Sequence, residues 1–255
     1  MSAAREVMDA YLGGVVAHLE SLNTPEQQAS VERAAELVAD KICADELVHV
    51  YGPGGHSNLA SQEIFFRAGG VVNVSAILDA GTLLSNGALR SMHAERAPGY
   101  GRLVIEDNRL AEGDLLILVN AYGINATLID AALTARERGV TVIGVSSRVH
   151  AESIPEGHPA RHPTRQNLHD VVDLHVDTKV PVGDALLALD GVEERVGAVS
   201  TFANAFVLQS LMATATTLVS ARGVRPTIWT SANAPGGDER NAWFIDHFKH
   251  RVRWL

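Results

Sequence analysis

The sequence predicts an α/β protein built on a parallel sheet covered by helices on both faces. Short runs at Leu47–Tyr51, Val71–Ile77, Asp114–Val119, Val140–Val145 and Val171–Val176 are apolar almost throughout instead of alternating with polar residues. Strands buried on both faces read this way. Helical patterns separate most of the runs, and that alternation is the mark of parallel strands joined by crossovers. The first run leads into a glycine-rich turn, Tyr51 to Gly70 (YGPGGHSNLASQEIFFRAGG), which opens a helix.

The elements follow in order. Residues 3 to 22 place Val7, Tyr11, Leu12, Val15, Leu19 and Leu22 on one helical face. Thr24-Pro25-Glu26-Gln27 starts a second helix, with Thr24 as N-cap, Pro25 at the first helical position and Gln27 closing a capping box. Val31, Ala34, Ala35, Val38 and Ile42 line its apolar side, and Cys43 falls among them as a core residue. After Tyr51, the turn residues lead into a helix over Asn58–Ala68, closed by Gly69-Gly70. Helices are expected over Ser85–Ala97 and Gly101–Arg109. Another runs from a cap at Asn125 to Arg138 and is ended by Gly139. Residues 148–170 read as a long polar, proline-rich loop. The stretch from Gly183 to Val196 carries no clear pattern. Thr201–Arg222 is a long helix apolar on most sides, hence buried in the core or an interface. SANAPGGDERN (Ser231–Asn241) is a turn, followed by a last helix from Trp243 to Val252. No repeat or interdomain linker divides the 255 residues, so one domain is expected, its first 45 residues a helical pair packing on it or on a dimer partner.

Bulk properties exclude several classes. A formal charge of −9 argues against a nucleic-acid partner, which needs a basic face. A single cysteine forbids an internal disulfide and suits a reducing cytoplasm. The N-terminus has no basic region followed by an apolar core, and no uninterrupted apolar run approaches the ~20 residues of a membrane helix. His150, His158, His162 and His169 share the long loop, but their spacing matches no standard metal pattern; no metal and no cofactor are expected.

The chemistry concentrates at the carboxyl ends of the strands, where open parallel sheets bind ligands. Gly52–Asn58, Asn120–Asn125 and Ser146–His150 are the expected walls of one pocket. Gly52, Gly54 and Gly55 allow a tight turn and close approach of a ligand to the backbone. The helix beginning at Ser57 offers free N–H groups and a positive dipole end. The spacing is neither the dinucleotide fingerprint nor a phosphate loop with its lysine.

Four stretches carry a family likeness: Gly54 to Gly70 with its GHS turn and EIFFRAGG ending; Glu95 with Gly99-Tyr100; Gly113-Asp114 into Leu115–Val119 and the Gly123/Asn125 loop; and SANAPGGDERN. On them the chain resembles the SIS (sugar isomerase) family, in a bacterial branch of about this length, over about Val31 to Asn241. The resemblance implies a three-layer α-β-α fold with a five-stranded parallel sheet, a homodimer, and a pocket for a phosphorylated sugar. One departure stands out. The family's S-x-S-G-x-N is here Asn120-Ala121-Tyr122-Gly123-Ile124-Asn125, without the two serines that hold phosphate. The substrate is then expected to carry a sulfonate or carboxylate, or no anion, or else a phosphate held by Ser57, Ser146, Ser147 and backbone amides.

The expected activity is aldose–ketose isomerisation through an enediol, which needs a base to move a proton between adjacent carbons. Glu63, flanked by Ile64 and Phe65, is the first candidate; its alternative is an ordinary ion pair with Arg67 at i, i+4. Glu95 is the second, against a surface pairing with Arg96 or Arg90. His56 is expected to aid ring opening, or else to be a turn histidine facing solvent. Gly54, Gly55, Ser57, Asn58, Asn120, Tyr122, Asn125, Ser146 and Ser147 are the expected ligand contacts, joined by Asp238 and Asn241, though Asp238 also suits a helix cap. A lyase using the same base and a non-catalytic ligand sensor are the rival functions.

Overall fold

A computed structural model describes residues 2–255. Its centre is a five-stranded, all-parallel sheet of β1 (Val48–Tyr51), β2 (Val74–Ile77), β3 (Leu115–Val119), β4 (Thr141–Ser146) and β5 (Leu174–Asp177), in spatial order β2-β1-β3-β4-β5. The order reverses between β1 and β3. Chains leaving those two strands diverge to opposite faces, and a crevice opens outside their carboxyl ends.

Alternation along each strand sends side chains to two cores. Val48, Val50, Leu115, Ile117, Val119, Ile143 and Val145 face one side, where they meet α1 (Ala3–Leu22), α2 (Pro25–Cys43), α3 (Ser57–Glu63) and α9 (Ser200–Ala221). Tyr51, Ile77, Leu116, Leu118 and Val142 face the other, against α5 (Tyr100–Asp107), α6 (Ala126–Glu137) and α8 (Leu168–Val171). The helix α4 (Ala88–Glu95) follows a short 3-10 turn at Leu84–Asn86, and α7 (Arg148–Ser153) follows β4.

Thr24 caps α2 as expected, its hydroxyl accepting from the Gln27 amide. The Gln27 side chain does not reach back to complete the box. It donates to the Asp177 carbonyl at the end of β5 and so pins α2 to the sheet.

Several boundaries differ from the sequence reading. The helix after the glycine turn stops at Glu63 because Phe66 enters the left-handed region (φ 43°) and packs edge-on against Trp229, 4.9 Å away. Tertiary packing of an aromatic outweighs local helix preference here. Val71 and Val72 lie outside β2 and pair with residues 227–228 instead. The long loop contains α7 and α8. The unpatterned stretch forms an antiparallel ribbon of β6 (Ala185–Leu187) and β7 (Val196–Ala198). The last helix, α10 (Gly237–Phe248), begins six residues earlier than Trp243, with Gly236 at its cap. Asp238 therefore lies in the first turn and is not the N-cap. α10 docks through Phe248 against Val72 and Trp229, beside the β2 edge.

By length and composition α9 is apolar enough to cross a membrane, although polar residues interrupt it throughout; in this fold 44% of its apolar window is buried within the protein. Leu208 and Leu211 are fully enclosed in the core, whereas Thr217 is exposed. Leu211→Ala is expected to destabilise the protein by about 2–5 kcal/mol in urea unfolding, and Thr217→Ala by no more than about 0.5 kcal/mol.

Candidate functional site

The site begins where β1 ends. At Gly52 a Cβ would stand 2.1 Å from the Ser57 carbonyl oxygen, so only glycine lets the chain fold back so tightly onto α3. Gly54 has φ 105°, and a Cβ there would meet the Glu95 carboxylate at 2.8–2.9 Å. Glu95, the last residue of α4, thus lies directly on the glycine turn. Neither the Gly55 nor the His56 amide has a hydrogen-bond partner among the described residues, so both are free to bind an anion.

Asn120, at the end of β3, locks this turn to its neighbour. Its amide nitrogen donates to the Pro53 carbonyl (3.1 Å) and the Ser57 hydroxyl (3.3 Å). Its oxygen accepts from the Tyr122 and Gly123 amides, both at 2.9 Å. Its nitrogen and its oxygen are thus both engaged within the protein. Asn120 therefore shapes the crevice, with its amide engaged by groups of the protein itself, the Glu95 carboxyl among them.

Glu95 is the electrostatic centre. Its carboxyl is raised to about 7 from an ordinary 4.5, chiefly by burial, with the Asn120 amide and Arg96 opposing. A carboxylate deprived of water ionises reluctantly. Tyr51, fully buried beneath it, is pushed well up by burial and by the carboxylate of Asp79.

The other wall is aromatic. Tyr122 stacks on His150 with centroids 3.7 Å apart and planes 16° from parallel. Burial lowers the His150 pKa and raises that of Tyr122. Asp184 acts on both through its charge, and also on His18 of α1. Asp184 is fixed by its second task, accepting from the Val199 and Ser200 amides (3.0 and 2.7 Å) and the Ser200 hydroxyl (2.6 Å) at the start of α9. His18 reaches the Thr178 carbonyl just past β5 at 3.1 Å. Sequence reasoning missed His18, Thr178 and Asp184. They lie far from the glycine turn in the chain, and no local pattern marks them.

The remaining expected contacts divide clearly. Ser57 is buried with its hydroxyl on Asn120, and Asn58 is buried with its amide on the Gly54 and Thr82 carbonyls. Gly55 faces Leu84. Asn125 occupies the cap position of α6 without capping it; its buried side-chain oxygen has no partner among the described residues. The Ser146 hydroxyl lies 3.0 Å from a ring nitrogen of His175, and that of Ser147 donates to the Val180 carbonyl at 2.7 Å. Both serines are therefore committed inside the protein.

His56 is exposed at the entry to α3. Glu63 ends α3 on the side facing α9, where it pairs with Arg67 and accepts from Gln209 at 3.1 Å. This is the plain i, i+4 pair of the alternative reading. The structure does not bring Asp238 or Asn241 to the turn. Asn241 uses its amide on both backbone groups of Thr230 (3.0 and 2.7 Å), and Asp238 is exposed on α10. No cluster of three or more potential metal ligands occurs among the described residues.

The sequence profile of the SIS domain matches residues 10–147. The chain belongs to the SIS domain family. It is 33% identical to a UPF0309 protein of Brucella canis over 96% of this chain and 98% of that protein, and 34% identical to a UPF0309 protein of Brucella anthropi over the same shares. The fold is similar to the phosphoheptose isomerase GmhA of Neisseria gonorrhoeae, with a TM-score of 0.56 at 16% identity over 86% of this chain and all of that one. A phosphoheptose isomerase of Francisella tularensis gives 0.52 at 13% identity, covering 84% and 98%.

In this SIS domain the Gly54–Glu95 contact leaves no room for a methyl group. Gly54→Ala is expected to displace the Glu95 carboxylate and to cost about 1–3 kcal/mol, through its positive φ and the clash. Urea unfolding measures the cost, and a pH titration of Glu95 by NMR reports the displacement as a fall toward the ordinary carboxylate range.

Proposed function

We propose that this SIS domain interconverts aldose and ketose forms of a sugar carrying an anionic group, with Glu95 as the proton-shuttling base. The observation that carries this reading is the Glu95 carboxyl, half-buried against the glycine turn at the point where strand order reverses and raised to about 7. Such a group is half ionised near neutrality. It can take a proton from the carbon beside a carbonyl and return it to the neighbouring carbon through an enediol. The free Gly55 and His56 amides suit the anionic end of the substrate, and the exposed imidazole of His56 is available to open the sugar ring.

The alternative base, Glu63, is engaged by Arg67 and Gln209. The Tyr122–His150 wall faces the charge of Asp184, so we place the substrate's anionic group on the amide side of the crevice. The group is a phosphate, as the names of the phosphoheptose isomerases suggest, or a sulfonate or carboxylate, which suits the loss of the two serines. A lyase would use the same base, and NMR of the products separates the two, because elimination does not conserve mass. A homodimer suits this reading, with Met8 and Leu12 of α1 and Phe202 of α9 as an exposed apolar face for a second copy.

The test is solvent-deuterium exchange into sugar phosphates, sulfonates and free sugars selected by thermal shift. Glu95→Gln is expected to abolish exchange while ligand still raises Tm, and Glu63→Gln to retain it. The opposite pattern would move the base to Glu63, and binding without exchange in the native protein would indicate a sensor.

A pH effect follows from the same carboxyl. kcat/KM should rise with pH through about 7 as Glu95 ionises. Its folded pKa lies above the unfolded value, so its contribution to stability is full below about 4.5 and is lost as pH rises to about 7. At pH 8 Glu95→Gln should therefore be more stable than the native protein, by about 1–3 kcal/mol in urea unfolding.

A further inference from the structure

A second polar cavity, of about 440 Å³, lies under the C-terminal segment at the amino-terminal half of β1 and β2. Its floor is His49 and Ser75, which are direct partners in the sheet register. Every other residue of β1 and β2 is apolar or, at Tyr51, aromatic. The His49 and Ser75 side chains make no hydrogen bond among the described residues; Ser75 is buried and His49 half-buried. Their polar atoms open onto the cavity and are available to hydrogen-bond a ligand there.

The walls are cationic. Arg109 projects from the end of α5, and Lys249, His250, Arg251 and Arg253 come from the segment after α10. The lining contains one carboxylate, Asp107, which pairs with Arg253. Arg251 pairs with Asp45 and Lys249 with Asp246. Arg109 and His250 have no acidic partner within salt-bridge distance among the described residues. A chain of net charge −9 thus gathers four of its 21 Lys and Arg residues around one cavity. Burial keeps the His49 imidazole below its usual pKa, leaving it neutral near pH 7 with one ring N–H to donate.

We propose that this cavity is a binding site for a small phosphate-bearing dianion or polyanion, separate from the Glu95 crevice. Arg109 supplies a charge-assisted contact, His250 a further hydrogen bond, and His49 and Ser75 complete the hydrogen bonding from below. The volume fits a small molecule and not a polymer. The site lies at the other end of the strands from the glycine turn, so a ligand there would touch β1 without entering the crevice.

Isothermal titration of the full-length protein with inorganic pyrophosphate at low ionic strength tests this. Saturable 1:1 binding is expected, weakened about tenfold or more in Arg109→Gln and in His250→Gln. Neither change breaks an internal ion pair, and circular dichroism checks that each variant is folded. Arg225→Gln, which removes an arginine remote from the cavity, should bind as the native protein does. Absence of saturable binding at millimolar pyrophosphate would overturn the proposal, as would equal weakening by Arg225→Gln. Loss in Ser57→Ala with retention in Arg109→Gln would place the anion in the glycine turn and overturn it as well. Deuterium exchange is a separate readout, so failure here leaves the assignment of Glu95 standing.

Discussion

The geometry of the crevice depends on the side-chain amide of Asn120. One side chain closes the gap between the ends of β1 and β3, where the strand order reverses. It fixes the Pro53 carbonyl and Ser57 on one side and the Tyr122–Gly123 backbone on the other. Its nitrogen also faces the Glu95 carboxyl. A buried amide engaged at both its nitrogen and its oxygen is a rigid joint, since rotating it would strand several polar groups at once. A serine is too short to make these four contacts. Asn120 is thus an internal clasp between the ends of the two strands.

The clasp supports an arrangement that lowers stability. Glu95 sits half-buried in a place where its charged form is penalised, and glycine at position 54 is what leaves it space. Proteins commonly concentrate such costs at reactive sites, and the surrounding packing sustains them. Here the packing comes from two full cores, one on each sheet face, that hold β1 and β3 in register.

How much of this was legible depended on the range of the forces involved. The strands could be read because burial on both faces leaves a continuous apolar run. Thr24 and Pro25 could be read because capping is local. The glycine turn was legible as a turn. The choice between Glu63 and Glu95 was not, because nearest neighbours in sequence say little about burial. Glu63 has Ile64 and Phe65 beside it yet turns toward Arg67 and Gln209. Glu95 lies among Ala94 and Arg96 yet is half-buried by a turn some forty residues upstream. His18 and Asp184 arrive from α1 and from the segment before β6, and only the folded chain brings them together. Aromatic packing of Phe66 on Trp229 likewise cut short a helix that local preference would have extended.

Asp184 caps the longest helix in the protein and also charges the aromatic wall of the crevice. Mobile lids in enzymes are usually drawn from segments whose opening is cheap. This wall is not of that kind. Swinging residues 181–184 outward would uncap α9 and expose the first-turn amides that Asp184 now satisfies. The crevice therefore has one side anchored to the helical scaffold. On the opposite side His56 stands in solvent at the lip of the glycine turn.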